Sequence, residues 1–409
     1  MRAGPTIGLL AGAHFSHHVL MAILVPLLPF IRDEFGLTYA QTGLVTSAFT
    51  ISYGASQLPA GWLADRIGPR FLLLFGITGV AVAGAIVGVA PVYAAVILAL
   101  VLMGIAGGGY HPSASAVIAN LVPPHRRGQA LGVHIIGGST SYFLAPLIAA
   151  GVVSAVGWRG TFLSLSVPVA LLGIAVFVLV TMYVHGHPSA GFRVPTSSGD
   201  ARERPREGAW QGEWVDGAAH RRRGAAHMTV FLVLTGIMGA GVGSVIPYIP
   251  LHLVDARGVD ERIAAGVISV IFAAGFFAAP LGGMLSDRLG RVRVMIATGL
   301  LTGPAIALVV LAPFPVPLAI ALLFVGVLMF VRMPSSEAHI ISEVSVRRRS
   351  TVLGIYFFAS SEAGAVLTPL LGAAIDRWGF TAGIVGMGAV VAGVAIVCGF
   401  ALIVLSRRS

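Results

Sequence analysis

Gly61-Trp-Leu-Ala-Asp65-Arg66-Ile-Gly68-Pro69-Arg70 (GWLADRIGPR, 61–70) returns as GGMLSDRLGRVR at 282–293, with Asp65 matched by Asp287, 222 positions further on. Long apolar segments surround both copies. A chain that repeats a charged Gly-Asp-Arg turn between apolar spans reads as a duplicated membrane protein, most simply a secondary transporter. The match extends past the turn. Gly104 pairs with Gly326, Pro112 with Pro334, Ser113 with Ser335, Arg127 with Arg349 and Gly132 with Gly354 at the same offset. Pro26-x-x-Pro29 recurs as Pro247-x-x-Pro250, one position out of step. Chance similarity among apolar helices does not reproduce matched Pro, Asp and Arg positions.

Composition agrees. Of 409 residues, 56% are hydrophobic and 10% charged, and the mean hydropathy is +0.91. Soluble domains carry about 25% charged residues, so the solvent for this chain is lipid. Apolar stretches of about 20 residues cross a hydrocarbon core of about 30 Å as helices. Twelve begin near Thr6, Thr42, Phe71, Tyr93, Gly128, Gly160, Met228, Ile263, Arg293, Val316, Thr351 and Phe380. The expected fold is an all-α membrane protein, twelve transmembrane helices in two pseudo-symmetric six-helix bundles. Residues 1–184 form the first bundle and 228–409 the second. The polar, Gly- and Pro-rich stretch 185–227 cannot bury a core and reads as a cytoplasmic linker. The first span has no secretory cleavage pattern and is expected to be retained.

The net charge of +10 orients the helices and does not signal nucleic acid. All 26 basic residues are arginine. Placing the Asp65 and Asp287 turns on one side collects 20 of them there, including Arg66, Arg70, Arg127, Arg288, Arg349 and the run at 221–223. The opposite loops hold five, Arg32, Arg159, Arg257, Arg262 and Arg377. By the positive-inside bias the Arg-rich side is cytoplasmic, with both termini facing in, across the cytoplasmic (inner) membrane. The single Cys398 excludes an internal disulfide.

Ionisable residues inside spans are costly and mark function by default. Arg332 and Glu362 each lie about 12 residues from the same cytoplasmic turn, hence at a similar depth of roughly 18 Å. Arg332 then binds an anionic group while Glu337 or Glu362 exchanges a proton; alternatively Arg332 and Glu362 form a structural pair. Six histidines also fall within spans: His14, His17, His18, His111, His134 and His339. Imidazole can shuttle protons or hydrogen-bond a substrate, and the alternative is neutral packing residues. His14 and His18 stand i, i+4, a spacing able to ligate a metal. A third ligand is missing nearby in sequence, so no metal or other cofactor is assigned. No Walker-type sequence is present, which excludes ATP as the driving force.

These residues resemble the major facilitator superfamily over essentially the whole chain. Gly61-x-Leu63-x-Asp65-Arg66-x-Gly68-x-Arg70 is similar to that family's signature between helices two and three, with Pro69 replacing the usual basic residue. The resemblance implies that Gly61, Asp65, Arg66, Gly68 and Arg70, with Asp287 and Arg288 in the second half, help close the cytoplasmic side. Asp65 would pair with Arg126 or Arg127, and Arg349 is the counterpart of Arg127. Within the superfamily, AHFSHH around His14, PFIRDEFGLTYAQTG at 29–43 and GGGYHPSASAVI around His111 resemble the fosmidomycin-resistance exporters. His17-His18 stands where relatives carry an Asn-Asp pair. Leu100 replaces the arginine of many antiporters, and the antiporter Gly-Pro survives as Ala145-Pro146. By resemblance helices one, four, seven and ten line the cavity, which brings His18, Tyr110 and His111 toward it, with His134 nearby. Phe49, Tyr53, Tyr248, Phe272, Tyr356 and Phe357 are its aromatic candidates.

The expected function is alternating-access transport of a small organic molecule, coupled to protons and directed outward. Uptake of a small organic anion is the alternative, resting on Arg332 and the histidines. A non-transporting sensor is the alternative of another class, opposed by the lack of an extra soluble domain. A membrane enzyme is opposed by the absence of a metal motif with a catalytic acid or a nucleophile elbow. The resemblance implies a monomer.

Overall fold

The computed structural model describes residues 3–121, 127–186, 218–343 and 349–406, and among them there is no strand. The helices of the first repeat are α1 (Ala3–Ala22), α2 (Leu28–Phe35), α3 (Tyr39–Ile67), α4 (Pro69–Leu74), a π-helical turn at Phe75–Gly79, α5 (Val80–Val89), α6 (Tyr93–Gly107), α7 (Tyr110–Leu121) and α8 (Arg127–Gly186). Those of the second are α9 (Ala218–Val245), α10 (Tyr248–Arg257), α11 (Glu261–Val267), α12 (Ser269–Ala273), α13 (Gly275–Leu289), α14 (Arg291–Leu311), α15 (Val316–Glu343) and α16 (Arg349–Ser406). Most of the expected linker lies outside the described residues. Its last part is helical, because α9 begins at Ala218 in a run of alanines and arginines, both good helix formers.

The duplication is written into the backbone. Six glycines have positive φ, and they form three pairs at the 222-residue offset. Gly36 and Gly258 end short helices in the left-handed conformation, at φ 62° and 65°, the usual helix stop. Gly68 and Gly290, at φ 93° and 91°, make the charged turns between α3 and α4 and between α13 and α14. Gly157 (φ 68°, ψ 176°) and Gly379 (φ 79°, ψ 168°) occupy a region open essentially to glycine alone and bend α8 and α16. These positions define two ends of the molecule. One carries Gly36, Gly157, Gly258 and Gly379; the other carries Gly68 and Gly290.

Packing repeats as well. A Cβ at Gly104 would sit 2.6 Å from the Phe49 carbonyl oxygen, and one at Gly326 would collide with that of Ile271. Phe49 and Ile271 are themselves 222 positions apart. Helices cross here backbone against backbone, which only a small residue allows. One core draws its buried side chains from Leu10 to Val180; two further large ones come from Val242 to Val391 and from Phe231 to Leu402.

The outer surface is apolar. Phe400 is 71% and Val397 68% exposed, a surface that lipid accepts and water does not. Among the described residues seven stretches are long and apolar enough to cross a membrane. Two of them, Val133–Met182 and Ala363–Ser406, run 50 and 44 residues and double back at Gly157 and Gly379. The remaining long helices, α1 and α3, carry His14, His17 and His18, or Thr42, Thr46, Ser47 and Thr50. Their polar side chains turn inward.

Candidate functional site

Between the two repeats lies a cavity of about 290 Å³. The first half contributes Met21, Val25, Ser47, Phe49 and Tyr142; the second contributes Ile246, Phe272, Ala365 and Thr368. None of its lining residues is charged. Tyr142 and Phe272 stack across it, ring centres 5.4 Å apart. Two expected aromatics, Phe49 and Phe272, therefore do line it. Tyr248 does not; it is fully buried and its hydroxyl donates to the carbonyls of Thr368 at 2.8 Å and Tyr39 at 3.0 Å. Tyr53 packs beside His17 and His111, and Tyr356 serves Arg332. The side chain of Phe357 lies outside the described residues.

From the cavity to the Gly36 end the halves are hydrogen-bonded together. Ser47 donates to the Ala365 carbonyl at 2.6 Å, and Ser269 to that of Phe143 at 2.8 Å. Arg32 pairs with Asp255, which also accepts from the Tyr39 hydroxyl at 2.7 Å. Burial opposes the Arg32 charge, but Asp255 and Asp33 outweigh it and raise its pKa. Burial, then Asp255, raises the pKa of Tyr39, which remains a donor. Asp376 of α16 accepts from the backbone N–H groups of Tyr39 and Ala40, at the start of α3, where the helix dipole favours a carboxylate. Sequence reasoning places no role on Asp376 or Asp255. Neither lies in a motif, and their partners are 337 and 216 residues away.

The expected pathway residues separate into two groups. His18, Tyr110, His111 and His134 come together in the first half, joined by His14 and His17. His14 Nδ1 donates to the His134 carbonyl at 2.8 Å, and His134 Nδ1 to that of Leu10 at 3.1 Å. His17 Nδ1 donates to the Gly76 carbonyl at 3.0 Å, within the π-helical turn where the helical ladder changes register. The Tyr110 hydroxyl reaches Leu10 O at 3.3 Å. Tyr142 links the cluster to the cavity, its hydroxyl 3.2 Å from His18 Nδ1. Ring nitrogens of His14, His18 and His111 lie within 4.8 Å of one another. The fold thus supplies the third imidazole that the sequence spacing of α1 lacks.

Arg332 and Glu337 sit apart from this group, in the second half. Arg332 is buried and donates to the Thr235 carbonyl at 3.1 Å and the Tyr356 hydroxyl at 3.4 Å. It borders a small cavity of about 70 Å³. Gly243 and Ile246 line both this cavity and the central one. Glu337 is partly buried on the same helix. The side chain of Glu362 lies outside the described residues, and so does the expected contact with Arg332.

Of the expected gating residues, Arg66, Asp287 and Arg288 are exposed at the Gly68 end. Arg70 lies over the Phe71 ring, 4.8 Å from its centre. Gly68 makes the turn its motif requires. The side chains of Asp65, Arg127 and Arg349, and the surroundings of Gly61, lie outside the described residues.

Two pseudo-symmetric helical halves around an uncharged cavity, jacketed in apolar side chains, define a membrane transporter architecture. The sequence model of the Major Facilitator Superfamily matches residues 10–277 and 231–409, and the chain belongs to that family, whose members are transporters and not enzymes. It is 27% identical over 381 residues to the multidrug resistance protein MdtG of a Rahnella species, covering 91% of this chain and 85% of that one. It is 28% identical over 297 residues to a probable sulfoacetate transporter, SauU, of Cupriavidus necator, covering 70% of this chain and 66% of that one. Among solved structures, a bacterial homologue of the human lysosomal transporter Spinster, inward-facing and unoccupied, superposes with a TM-score of 0.75 at 17% identity. That match covers 99% of this chain and 97% of the other. It supports the fold.

Proposed function

We propose that this chain exports small, largely apolar organic molecules across the cytoplasmic membrane by alternating access, driven by protons, as a monomer with both termini inside. The carrying observation is the central cavity. Both halves line it, its surface is aromatic and aliphatic with a few hydroxyls, and it bears no charge. Such a site holds its ligand by burial of apolar area and discriminates weakly between similar shapes. The likeness to MdtG supports the same direction.

The domain division follows the repeat: bundles at residues 1–184 and 228–409, joined by 185–227. With the Arg-rich side cytoplasmic, the Gly36 end faces outward. The bonds of Arg32, Asp255 and Asp376 then hold the external gate shut, and the conformation is the inward-facing one. Asp65, Arg127, Asp287 and Arg349 act at the opposite gate, where contacts made in one state and broken in the other bias the equilibrium. The histidine cluster, Glu337 and Glu362 are the proton-exchanging candidates.

One observation favours a second reading, uptake of a small organic anion. Arg332 is a buried cation beside a small cavity that shares Gly243 and Ile246 with the wall of the central one, and a substrate reaching past Gly243 would meet it. The likeness to a probable sulfoacetate transporter points the same way.

Expression in an efflux-deficient bacterium separates the readings. Protection against members of a broad compound panel, lost in Asp65→Asn, supports export. Unchanged growth, or sensitisation to a small anionic compound that Arg332→Ala abolishes, overturns export in favour of uptake.

A further inference from the structure

The three imidazoles of His14, His18 and His111 converge without stacking. Their ring centres are 4.8, 5.1 and 5.2 Å apart, and the planes meet at 50°, 86° and 38°. Two of the rings stand one turn apart on α1; the third arrives from α7. One ring nitrogen from each lies within 4.8 Å of the other two.

Hydrogen bonding fixes how His14 presents itself. A carbonyl only accepts, so the bond to His134 O places hydrogen on Nδ1 and leaves Nε2 with a lone pair. That Nε2 is buried, on a residue only 5% exposed, and has no hydrogen-bond partner. A buried acceptor left unsatisfied forfeits its hydration with nothing in return. The arrangement is the one that orients a metal-bound histidine, whose second nitrogen donates to a backbone carbonyl. The His134 ring stacks on His14 at 4.2 Å and 9°, fixing its plane, and is itself anchored to Leu10 O. His18 is oriented in turn through Tyr142.

We infer that His14, His18 and His111 form a three-imidazole site for a first-row transition cation of the Zn²⁺ class, its fourth position available to water. Imidazole suits Zn²⁺, Cu²⁺ and Ni²⁺. Tetrahedral Zn–N bonds of about 2.0–2.1 Å require nitrogens about 3.3 Å apart, so the rings close by roughly 1.5 Å on binding. Gly138 leaves room beside them: a Cβ there would stand 2.7 Å from His14 Nε2. The inference concerns binding and does not depend on the direction of transport; a bound cation takes up the lone pairs of these three imidazoles and leaves proton exchange to Glu337 and Glu362.

The test uses the full chain, purified without a polyhistidine tag, stripped of metal and titrated with Co²⁺ and then Zn²⁺. One equivalent of Co²⁺ should bind with the intense visible absorption of a tetrahedral site and be displaced by Zn²⁺. His18→Gln and His111→Gln should each weaken binding by about 10- to 100-fold or more. His252→Gln, a buried histidine at the Gly36 end, should leave it unchanged. Thermal unfolding without metal checks each variant, and because the two ligands sit on different helices either variant suffices if the other misfolds. X-ray absorption of the unmutated protein counts its imidazole ligands independently. No stoichiometric binding, a weak octahedral spectrum, or binding that survives both substitutions overturns the inference.

Discussion

Asp376 caps a helix that belongs to the other half of the molecule: its Oδ1 accepts the backbone N–H of Tyr39 at 2.8 Å, while its Oδ2 takes that of Ala40 at 2.9 Å. Thr38 already caps α3 from within, in a reciprocal bond with Gln41. This second cap therefore serves the closure of the halves more than the folding of the helix. The repeat does not duplicate it. The position equivalent to Asp376 is Ser154, and α11 is capped by its own neighbour Asp260.

Asp376→Asn keeps the size and removes the charge. A carboxylate at a partly buried helix N-terminus contributes up to about 2 kcal/mol, so the closed arrangement should lose up to about thirtyfold in population. Spin labels at Val92→Cys and Val316→Cys, exposed near the Gly36 end of each half, would read this in a Cys398→Ser background. The expected result is a second, longer distance in Asp376→Asn. An unchanged distribution would show that the cap does not hold the halves together.

The pair of glycines at 104 and 326 gives a stability prediction. In either half an added methyl meets backbone, the Phe49 or the Ile271 carbonyl, and backbone cannot step aside. Gly104→Ala and Gly326→Ala should each cost about 1–3 kcal/mol, seen as a lower unfolding temperature in detergent. Gly236→Ala is the control. Nothing lies within 4 Å of its added Cβ, and removing backbone freedom in a helix should be neutral or stabilise by up to about 1 kcal/mol. Equal effects at all three positions would mean that close approach does not decide these sites.

How much of this was legible beforehand follows from what a repeat encodes. Gly104, Gly326, Gly68 and Gly290 are visible in sequence because each half needs the same backbone solution at the same place. Gly137 and Gly138 also allow close approach, a Cβ at Gly137 meeting Ala11 O and one at Gly138 the His14 ring, but the second half has Ala359 and Ser360 there, so no repeat marks them. The bonds from Ser47 to Ala365 O and from Ser269 to Phe143 O are repeat equivalents, each position 222 from its counterpart, whereas the contacts of Asp376 with α3 and of Asp255 with Tyr39 are not repeated and leave no periodic trace. Asp376 and Asp255 read as ordinary loop or helix polar residues until α16 and α10 are seen against α3. The histidine cluster falls between. His14 and His18 declare themselves by spacing, but His111 reaches them only through the crossing of α1 and α7.

The cavity supports a prediction of specificity. Phe49 and Phe272 enter from opposite halves, and neither is tied by a polar contact that would resist substitution. Phe49→Ala and Phe272→Ala should leave folding largely intact and change which compounds are handled, the bulkiest gaining and the smallest losing. Removing a ring from a ligand contact costs about 1–3 kcal/mol of binding, or roughly 5- to 200-fold in affinity. Dose–response growth curves across a size-graded series would show it. A uniform loss over the series would point to damage of the transport cycle instead of the pocket.

Arg332 decides between the two transport readings, and its surroundings make the decision measurable. Its guanidinium donates to Thr235 O and the Tyr356 hydroxyl, and Tyr356 is held in turn by Ser336 at 2.8 Å. These bonds fix the cation whether or not a substrate binds. A Cβ at Gly239 would stand 3.2 Å from its Nη2, so the helices close tightly around it. Arg332→Lys preserves charge but loses the rigid, planar guanidinium whose Nη1 donates to both the carbonyl and the hydroxyl; Arg332→Gln keeps hydrogen bonding and loses the charge. If the side chain is structural, both should lower the unfolding temperature while substrate affinity stays constant. Were it an anion anchor, Gln should abolish binding of a small carboxylate or sulfonate while Lys retains part of it, with stability nearly unchanged. The export reading predicts the first pattern, because the cavity that carries it is uncharged and Arg332 lies outside its wall.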